Sequence, residues 1–589
     1  MRGLFLTALL LACAPVQPAA HSAAVATPKT QDCAAFVVGQ MGPRCIRPLS
    51  PAEQKQRNFY RLRFEADRVV RVERLTGSGA PNADDDGEIE YRYTYVAGKR
   101  FESYGVTQHG TISVRRHLQA SREVVLDEWN RPKLRREQEA VGSDIEFDER
   151  GFEREARFFG LDGKPARTSN GAYRWRREND ERGLTLRSCW YDAEGRPMLT
   201  RWGVHCLTAL HDEFGNERET RFFDTAGQPV ENVYGLHRAV NRIDGFGRVV
   251  AAEWFGKDGL PLKAPLGRCS ALRWAHEGGR RTGALCLDAE GNPAPFREGN
   301  AYWRESVDAR GDATELRYFN IHGELVVSGS SARIAYTRDP KGYELSRRFF
   351  LASGVPGQRN GPAEVRYGRL PNGLVNREDY FDGSGERSED DGCATRTWGY
   401  DSFRQATSRS CLDNEGNSVP DDDGITIIHW AYDPANGLVQ SESYFDKDNK
   451  PVNSQNGYSV MRYVYTAQGT EIRRDLFAAD GARVTLPRYR SISLRVPYSS
   501  RGFNTGSREA MLTRALEARR ALLAGESFES VAIRFGHFDV SSKTPGYESY
   551  QDTSLWYANL RLGVRGLAVG EISEVMEIPD FFRIFQRIE

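Results

Sequence analysis

The strongest constraint in this sequence is a period. The stretches FDERGFEREARFFGLDGKPA (from Phe147), HDEFGNERETRFFDTAGQPV (from His211), VDARGDATELRYFNIHGELV (from Val307) and YDPANGLVQSESYFDKDNKPV (from Tyr432) are versions of one unit. Each reads as a strand, an Asp-x-x-Gly type turn, a second strand ending in an aromatic pair, and a second Asp/Gly turn often followed by Pro. The second member of the pair falls at Phe159, Tyr191, Phe223, Phe255, Leu287, Phe319, Phe350, Phe381, Leu412, Phe445 and Phe477, eleven units spaced by 31 to 33 residues. A fixed period of this size signals a repeat architecture in which each unit buries an apolar face against the next. Between the turns polar and apolar residues alternate, as in ERETRFF and ATELRYF, the period-two pattern of half-buried strands. Two strands of about six residues use less chain than a propeller blade of ~40 residues needs. The expected fold is mainly β: a long, twisted antiparallel array of β-hairpins, with a superhelix and a partial shell both open as its curvature.

The repeats resemble YD (RHS-type) and related short β-hairpin repeats, on the phrases YD..G and YFD..G.P. That resemblance implies an architecture and little about activity. Residues 58–142, with YRLRFEADRVVRVERLTGSGAP and YRYTYVAGKRF, read as degenerate units forming an N-terminal cap on the array at 143–487.

At 589 residues, 39% hydrophobic and 11% aromatic, the chain can bury sizeable cores. Lys plus Arg and Asp plus Glu are both 81, with no long run of one sign. A nucleic-acid partner, which calls for a clustered basic footprint, is not expected. The N-terminus MRGLFLTALLLACAPVQPAA has one positive charge and an apolar run from Leu4 to Ala12, the pattern of an export signal and too short to span a bilayer. Leu10-Leu11-Ala12-Cys13 resembles a bacterial lipobox, which implies a signal at 1–13 and a lipid on Cys13; the Ala-, Pro- and Thr-rich stretch that follows reads as a flexible tether, drawn over 14–57. Cleavage further on, near PAAHSAA, is the alternative.

Eight further cysteines suit an exported protein in a compartment that permits disulfides. Their spacing suggests the local pairs Cys33 with Cys45, Cys189 with Cys206, Cys269 with Cys286, and Cys393 with Cys411, with buried free thiols as the alternative. There is no C-x-x-C pair.

The repeats carry no recognisable catalytic motif. NADDDGEIEYRY puts Asn82, Asp84, Asp86 and Gly87 at calcium-loop offsets, but the closing bidentate Glu would fall on Tyr93. The acidic runs near Asp391 and Asp422 read likewise as solvated turns. Ten histidines form no H-E-x-x-H pair, and neither a G-x-S-x-G elbow nor a phosphate loop occurs. Recurrent Asp-x-x-Gly follows the turn period, with Asp bonding nearby N–H groups and Gly supplying positive φ. No metal site and no cofactor are expected.

After YRSISLRVPYSS the pattern changes. Ser507 is a plausible cap for a helix from Arg508 to Ala524 with Met511, Ala515, Ala518 and Leu522 on one face and Gly525 closing it. Ser527 then caps a shorter helix with Phe528, Val531, Ala532 and Phe535 on one face, and GEISEVMEI and FFRIFQRIE read as two strands. The stretches LLAGESFESVAIRFGHFD, TPGYES and LAVGEISEV resemble the parvulin-type peptidyl-prolyl isomerase domain over residues 488–589. That resemblance implies a small α+β domain. The family's two active-site histidines correspond here to Ser491 or Ser493 on the first strand and Arg583 or Phe582 on the last, with Asp539 matching the loop acid. Trp556, Tyr557, Phe581 and Phe582 would line a groove for extended polypeptide, oriented by Asp539 and Arg583. Phe582 and Arg583 cannot both face that groove without a bulge, since alternate strand residues face opposite sides.

The resulting expectation is a lipid-anchored bacterial envelope protein. It would bind unfolded or proline-containing polypeptide clients, with prolyl isomerase activity as the implied reaction. The alternative is a non-enzymatic scaffold or interaction protein whose β repeats contact other envelope proteins.

Overall fold

The structure, a computed structural model, describes residues 29–589 except 84–86, 109, 135–138, 233–234, 263–268, 278, 297, 360, 486–488, 496–504, 536–562, 565, 579–580 and 588–589. The Cys13 lipid site lies outside the described residues.

The repeat unit is a hairpin built by its turns. In the second unit, strand Arg174–Asn179 runs into a turn at Asp180–Gly183 and returns as Thr185–Tyr191. The Asp180 carboxylate accepts the backbone N–H groups of Arg182 and Leu184, both at 2.9 Å, and Gly183 takes φ +91°. That left-handed conformation is open to Gly at no steric cost. Burial works against ionisation of Asp180, but the two N–H groups and the Arg182 guanidinium outweigh it and hold the carboxyl below its usual range. The recurrent Asp is therefore turn chemistry. All eleven aromatic-pair positions, from Phe159 to Phe477, end the second strand of a hairpin.

A third turn per unit escaped the sequence reading. It lies between one hairpin and the next, at Thr168–Gly171, Thr200–Gly203 and Ser454–Gly457, with the Gly N–H bonded back to the first residue's carbonyl at 2.8–2.9 Å. Its signal is a Gly twelve residues after the second member of the pair, as at Gly171, Gly203, Gly235 and Gly424.

In all eleven hairpins the ladder slips by one residue where the first strand meets its turn, as between Glu178 and Asn179. A bulge bends its strand and adds right-handed twist. Repeated at one place in each unit, it coils the strip. The Tyr that ends a hairpin's first strand ties hairpin to hairpin: the hydroxyls of Tyr400, Tyr432 and Tyr465 donate to the carbonyls of Val375, Ala406 and Val439 at 2.6–2.8 Å.

Among the described residues these hairpins join into a thirty-stranded antiparallel sheet. Its ladder runs in chain order from Phe59–Glu65 to Arg483–Val484, and Thr30–Cys33 adds outside Phe59–Glu65. The two residues of the aromatic pair face opposite sides, as strand alternation requires. On one side Arg122, Arg333 and Arg366 lie over Phe159, Phe350 and Phe381 at 3.5–3.9 Å from the ring centres. On the other side Tyr444 and Leu476 join Ile428, Tyr458 and Met461 in a buried cluster.

Four disulfides join Cys33–Cys45, Cys189–Cys206, Cys269–Cys286 and Cys393–Cys411. Cys189 and Cys206 stand directly opposite each other on the second strand of one hairpin and the first of the next. Disulfides of this number fit an oxidising, extracytoplasmic compartment. Among the described residues no helix is long and apolar enough to cross a membrane.

Two expectations are corrected here. The tether drawn over 14–57 is folded from Thr30 onward: Thr30–Cys33 joins the sheet, Phe36–Gly39 pairs with Gly42–Cys45, and a capping box between Ser50 and Glu53 starts a short helix. Four-residue strands carry too little alternation to be read, and the cross-strand disulfide supplies what they lack in length. The helix expected to begin after Ser507 begins at Thr505.

The coiled strip meets itself. Arg131 donates to Gln405 at 3.1 Å across 274 residues, and Gln468 donates to Asp162 at 2.9 Å across 306. Around these bonds Arg404 pairs with Glu128, and Trp129 meets the edge of Phe403. A Cβ on Gly469 would lie 2.4 Å from Leu134 and 3.0 Å from Leu161. One turn of the coil thus takes roughly nine units of ~32 residues each. The first turns of the hairpins form a rim along which the N-terminal segment lies, with Gln40 bonded to Gly151, Arg47 over Phe214, and Arg57 bonded to Phe246. Neighbouring rim turns also clamp each other: Arg150 donates to Asp180, Arg182 to Asp212, and Arg310 to Pro340, each to a backbone carbonyl at 2.6–2.8 Å.

Candidate functional site

Beyond the array, strand Tyr489–Arg495, helices Thr505–Leu523 and Phe528–Phe535, and strands Met576–Ile578 and Phe581–Arg587 follow in the expected order. The strands form a three-stranded antiparallel sheet with Phe581–Arg587 in the centre. Gly525, at φ +92°, ends the first helix, and the Ser527 hydroxyl accepts the Ser530 N–H at 3.2 Å to start the second. Met511, Ala515, Ala518 and Leu522 pack with Phe528, Val531, Ala532 and Phe535 against Ile492, Leu494, Phe582 and Ile584 of the sheet.

That core settles one candidate residue. Phe582 is 1% exposed within it, on the helix side of the sheet. It is a core residue, and its expected place in a groove is withdrawn. The neighbouring Arg583 alternates to the opposite side, which resolves the conflict between the two.

On that opposite side the ladder brings the remaining strand candidates together. Ser493 stands directly across from Arg583, and Ser491 across from Phe585, while Met576 flanks Arg583 from the third strand. Phe585, Tyr489, Met576 and Val564 form a second buried cluster, and the Tyr489 hydroxyl donates to the Val564 carbonyl at 3.2 Å. Ser491 is 1% exposed, so Ser493 and Arg583 are the more accessible pair of this face. Sequence reasoning missed Tyr489 and Phe585 as part of it, although the alternation in YRSISLR and FFRIFQR assigns them to the face of Ser491 and Arg583. Asp539, Trp556 and Tyr557 lie outside the described residues, as does the side chain of Phe581. A hydroxyl and a guanidinium in register can orient a carbonyl group by hydrogen bonds. They contain no group that titrates near neutrality in the way the resembled family's histidines do.

Among the described residues, one group of side chains could bring three metal ligands together: Cys189, His205 and Cys206. Its two sulfurs are joined in a disulfide, and His205 Nδ1 lies 3.2 Å from the Met198 carbonyl. The group is therefore a cross-strand staple with a packed histidine. At the acidic turns, Arg396 pairs with Asp390 and Asp391, and Arg409 with Asp421.

The fold and these sites define a mainly β repeat protein: a long, coiled hairpin array followed by a small α+β module. No protein-family model and no curated protein matches the chain. Among solved structures it is similar to TcdB2-TccC3 without its hypervariable C-terminal region, with 10% identity and a TM-score of 0.28, covering 76% of this chain and 24% of that one. It is also similar to the Photorhabdus luminescens Tc holotoxin pore with the TccC3-D651A mutation, with 12% identity and a TM-score of 0.24 over 81% and 27% of the two chains. The chain thus spans about a quarter of the length of the structures it matches, and likenesses this loose carry no conclusion about function.

Proposed function

We propose that this chain is an exported scaffold or interaction protein of the bacterial envelope, held at the membrane by a lipid on Cys13, with the β array as its partner-binding body. The observation that carries this reading is the closure of the coil by the Gln468–Asp162 bond across 306 residues. A strip whose two distant stretches grip each other, with disulfides and rim clamps between, is a stiff frame. A stiff frame presents a preorganised surface, and preorganisation lowers the entropic cost of docking a partner. In situ cross-linking of the full chain in exporting cells, followed by peptide mapping, tests this. Cross-links to a reproducible envelope protein should come from residues 143–487 and persist when 489–589 are deleted. Cross-links confined to 489–589 would overturn the reading.

The alignment of Ser493 with Arg583, in a module with the strand, helix, helix, strand, strand order, favours a second reading: a parvulin-like domain that binds proline-containing or unfolded client segments. Prolyl isomerisation has a barrier of ~18–20 kcal/mol and requires no nucleophile. A pocket that favours the twisted amide over the planar one suffices to lower it. The full chain should then accelerate cis-to-trans conversion of a short Xaa-Pro peptide, and Arg583→Ala should reduce that effect. Conversion at the uncatalysed rate leaves the scaffold reading alone.

A further inference from the structure

The four disulfides differ in what surrounds their sulfurs. The Cys33 and Cys393 sulfurs lie 3.9 and 3.7 Å from the carbonyls of Gln31 and Asp391, and the Cys411 sulfur lies 3.8 Å from that of Gly392. Cys269 and Cys286, 1% and 0% exposed, pack with Ala294 in an apolar cluster. The Cys206 sulfur instead receives an arginine: Nη2 of Arg187 lies 3.8 Å from it. Strand register sets this contact. Cys189 stands directly opposite Cys206, and Arg187, two residues earlier on the same strand as Cys189, faces the same side. A ring nitrogen of His205 lies within 4.8 Å of both sulfurs, close enough to exchange protons with the thiols. The two sulfurs are also unequally placed, since Cys189 lines an open cleft of about 590 Å³ together with His205, whereas Cys206 is 1% exposed.

Those surroundings decide how readily each bond exchanges. Thiol–disulfide exchange proceeds by attack of a thiolate, and the sulfur whose own thiolate is better stabilised leaves faster. A neighbouring Arg favours a thiolate, whereas carbonyl oxygens and apolar walls disfavour one. The other three pairs therefore offer poor leaving groups, and Cys206 beside Arg187 offers a good one. Arg187 also meets Glu178 at 4.0 Å, and a carboxylate at that range offsets only part of its charge.

We propose that Cys189–Cys206 is a redox-active disulfide that oxidises an external dithiol. One thiolate of the dithiol attacks the Cys189 sulfur from the cleft, the bond to Cys206 breaks, and Cys206 leaves as a thiolate beside Arg187. The dithiol's second thiolate then attacks its own sulfur in the mixed disulfide and expels Cys189. The dithiol loses two electrons and closes as a disulfide, and the cysteine pair gains them. The dithiol's two protons pass to His205 and solvent, from which the new thiolates take them up.

Timed exposure of the folded mature chain to dithiothreitol at pH 7, followed by alkylation and peptide mass mapping, tests the proposal. Cys189 and Cys206 should become alkylated about tenfold or more faster than the cysteines of the other three pairs. Arg187→Gln should slow that opening by about tenfold and leave the other pairs unchanged, and Arg187→Lys should restore much of the rate. Thermal unfolding checks that each variant is folded. In Cys189→Ser the free Cys206 should ionise below the usual thiol value of about 8.5, read from the pH dependence of its alkylation, and return toward that value when Arg187→Gln is added. Opening of all four pairs at one rate, or of Cys189–Cys206 last, would contradict the site without recourse to any variant. So would an unchanged opening rate in Arg187→Gln.

Discussion

The side-chain amide of Gln468 donates to the carboxylate of Asp162 at 2.9 Å, although 306 residues separate the two. The bond joins the turn of the eleventh hairpin to the turn that follows the first hairpin, two stretches that no backbone ladder connects directly. The seam around it is apolar, with Leu134, Leu161 and Leu438 closing on Gly469.

Two glycines with nearly the same backbone separate the seam's contribution from that of turn geometry. Gly469 and Gly481 have φ of +86° and +84°, but a Cβ at Gly481 meets nothing within 4 Å. Gly481→Ala should cost only the left-handed penalty of about 1–2 kcal/mol. Gly469→Ala should cost about 1–3 kcal/mol more, from crowding against Leu134. Urea denaturation of both variants measures the difference, and equal losses would mean that the seam contributes nothing.

The Cys189–Cys206 staple should matter to stability without being needed for the fold to form. Changing both to Ser should lower stability by about 2–4 kcal/mol, the usual effect of opening such a loop. Calorimetry with and without reductant checks this: the oxidised wild type should unfold at a higher temperature than the oxidised double variant, and with all four disulfides reduced that difference should shrink.

Acid should weaken the array through its paired carboxylates. Burial opposes ionisation of Asp379, but hydrogen bonds from Arg377, Arg387 and Thr395 bring its pKa down to about 2 from 3.8. A carboxyl lowered on folding stabilises the fold at pH above its unfolded value, and that contribution is lost as pH falls through 3.8 toward about 2. Asp379→Asn should therefore lower stability at pH 7 and flatten its loss between pH 4 and pH 2, read from thermal midpoints across that range.

The two neighbouring residues at the C-terminal strand should separate core from face. Phe582→Ala should destabilise the module by about 3–5 kcal/mol, the range for a buried Phe. Arg583→Ala should cost less than Phe582→Ala, because Arg583 is only partly buried and a long Arg stem truncated at such a site leaves a smaller cavity than a fully buried Phe. Proteolysis of the full chain, followed at the cleavage sites in 489–589, reads this difference without requiring the module in isolation.

The hairpin array was legible because its signals are local. An aromatic pair ending each second strand and an Asp-x-x-Gly turn repeat in register, so eleven units could be placed to the residue. Closure of the coil was not legible, since it depends on a small added twist per bulge and on polar contacts such as Arg131 with Gln405 that leave no pattern. The third turn was readable from its Gly and was passed over because its other residues vary. In the C-terminal module the helix faces were legible from Met511 to Phe535, whereas the side on which Phe582 packs depended on strand register.

The most direct test is the separation of residues 162 and 468, measured by dipolar EPR between nitroxides attached at Asp162→Cys and Gln468→Cys in the mature chain. Nineteen strands lie between the two turns, and a flat sheet would hold them roughly 90 Å apart at ~4.8 Å per strand. The coiled array predicts the short, narrow distance of two touching side chains. A broad distribution near the flat-sheet value would contradict it.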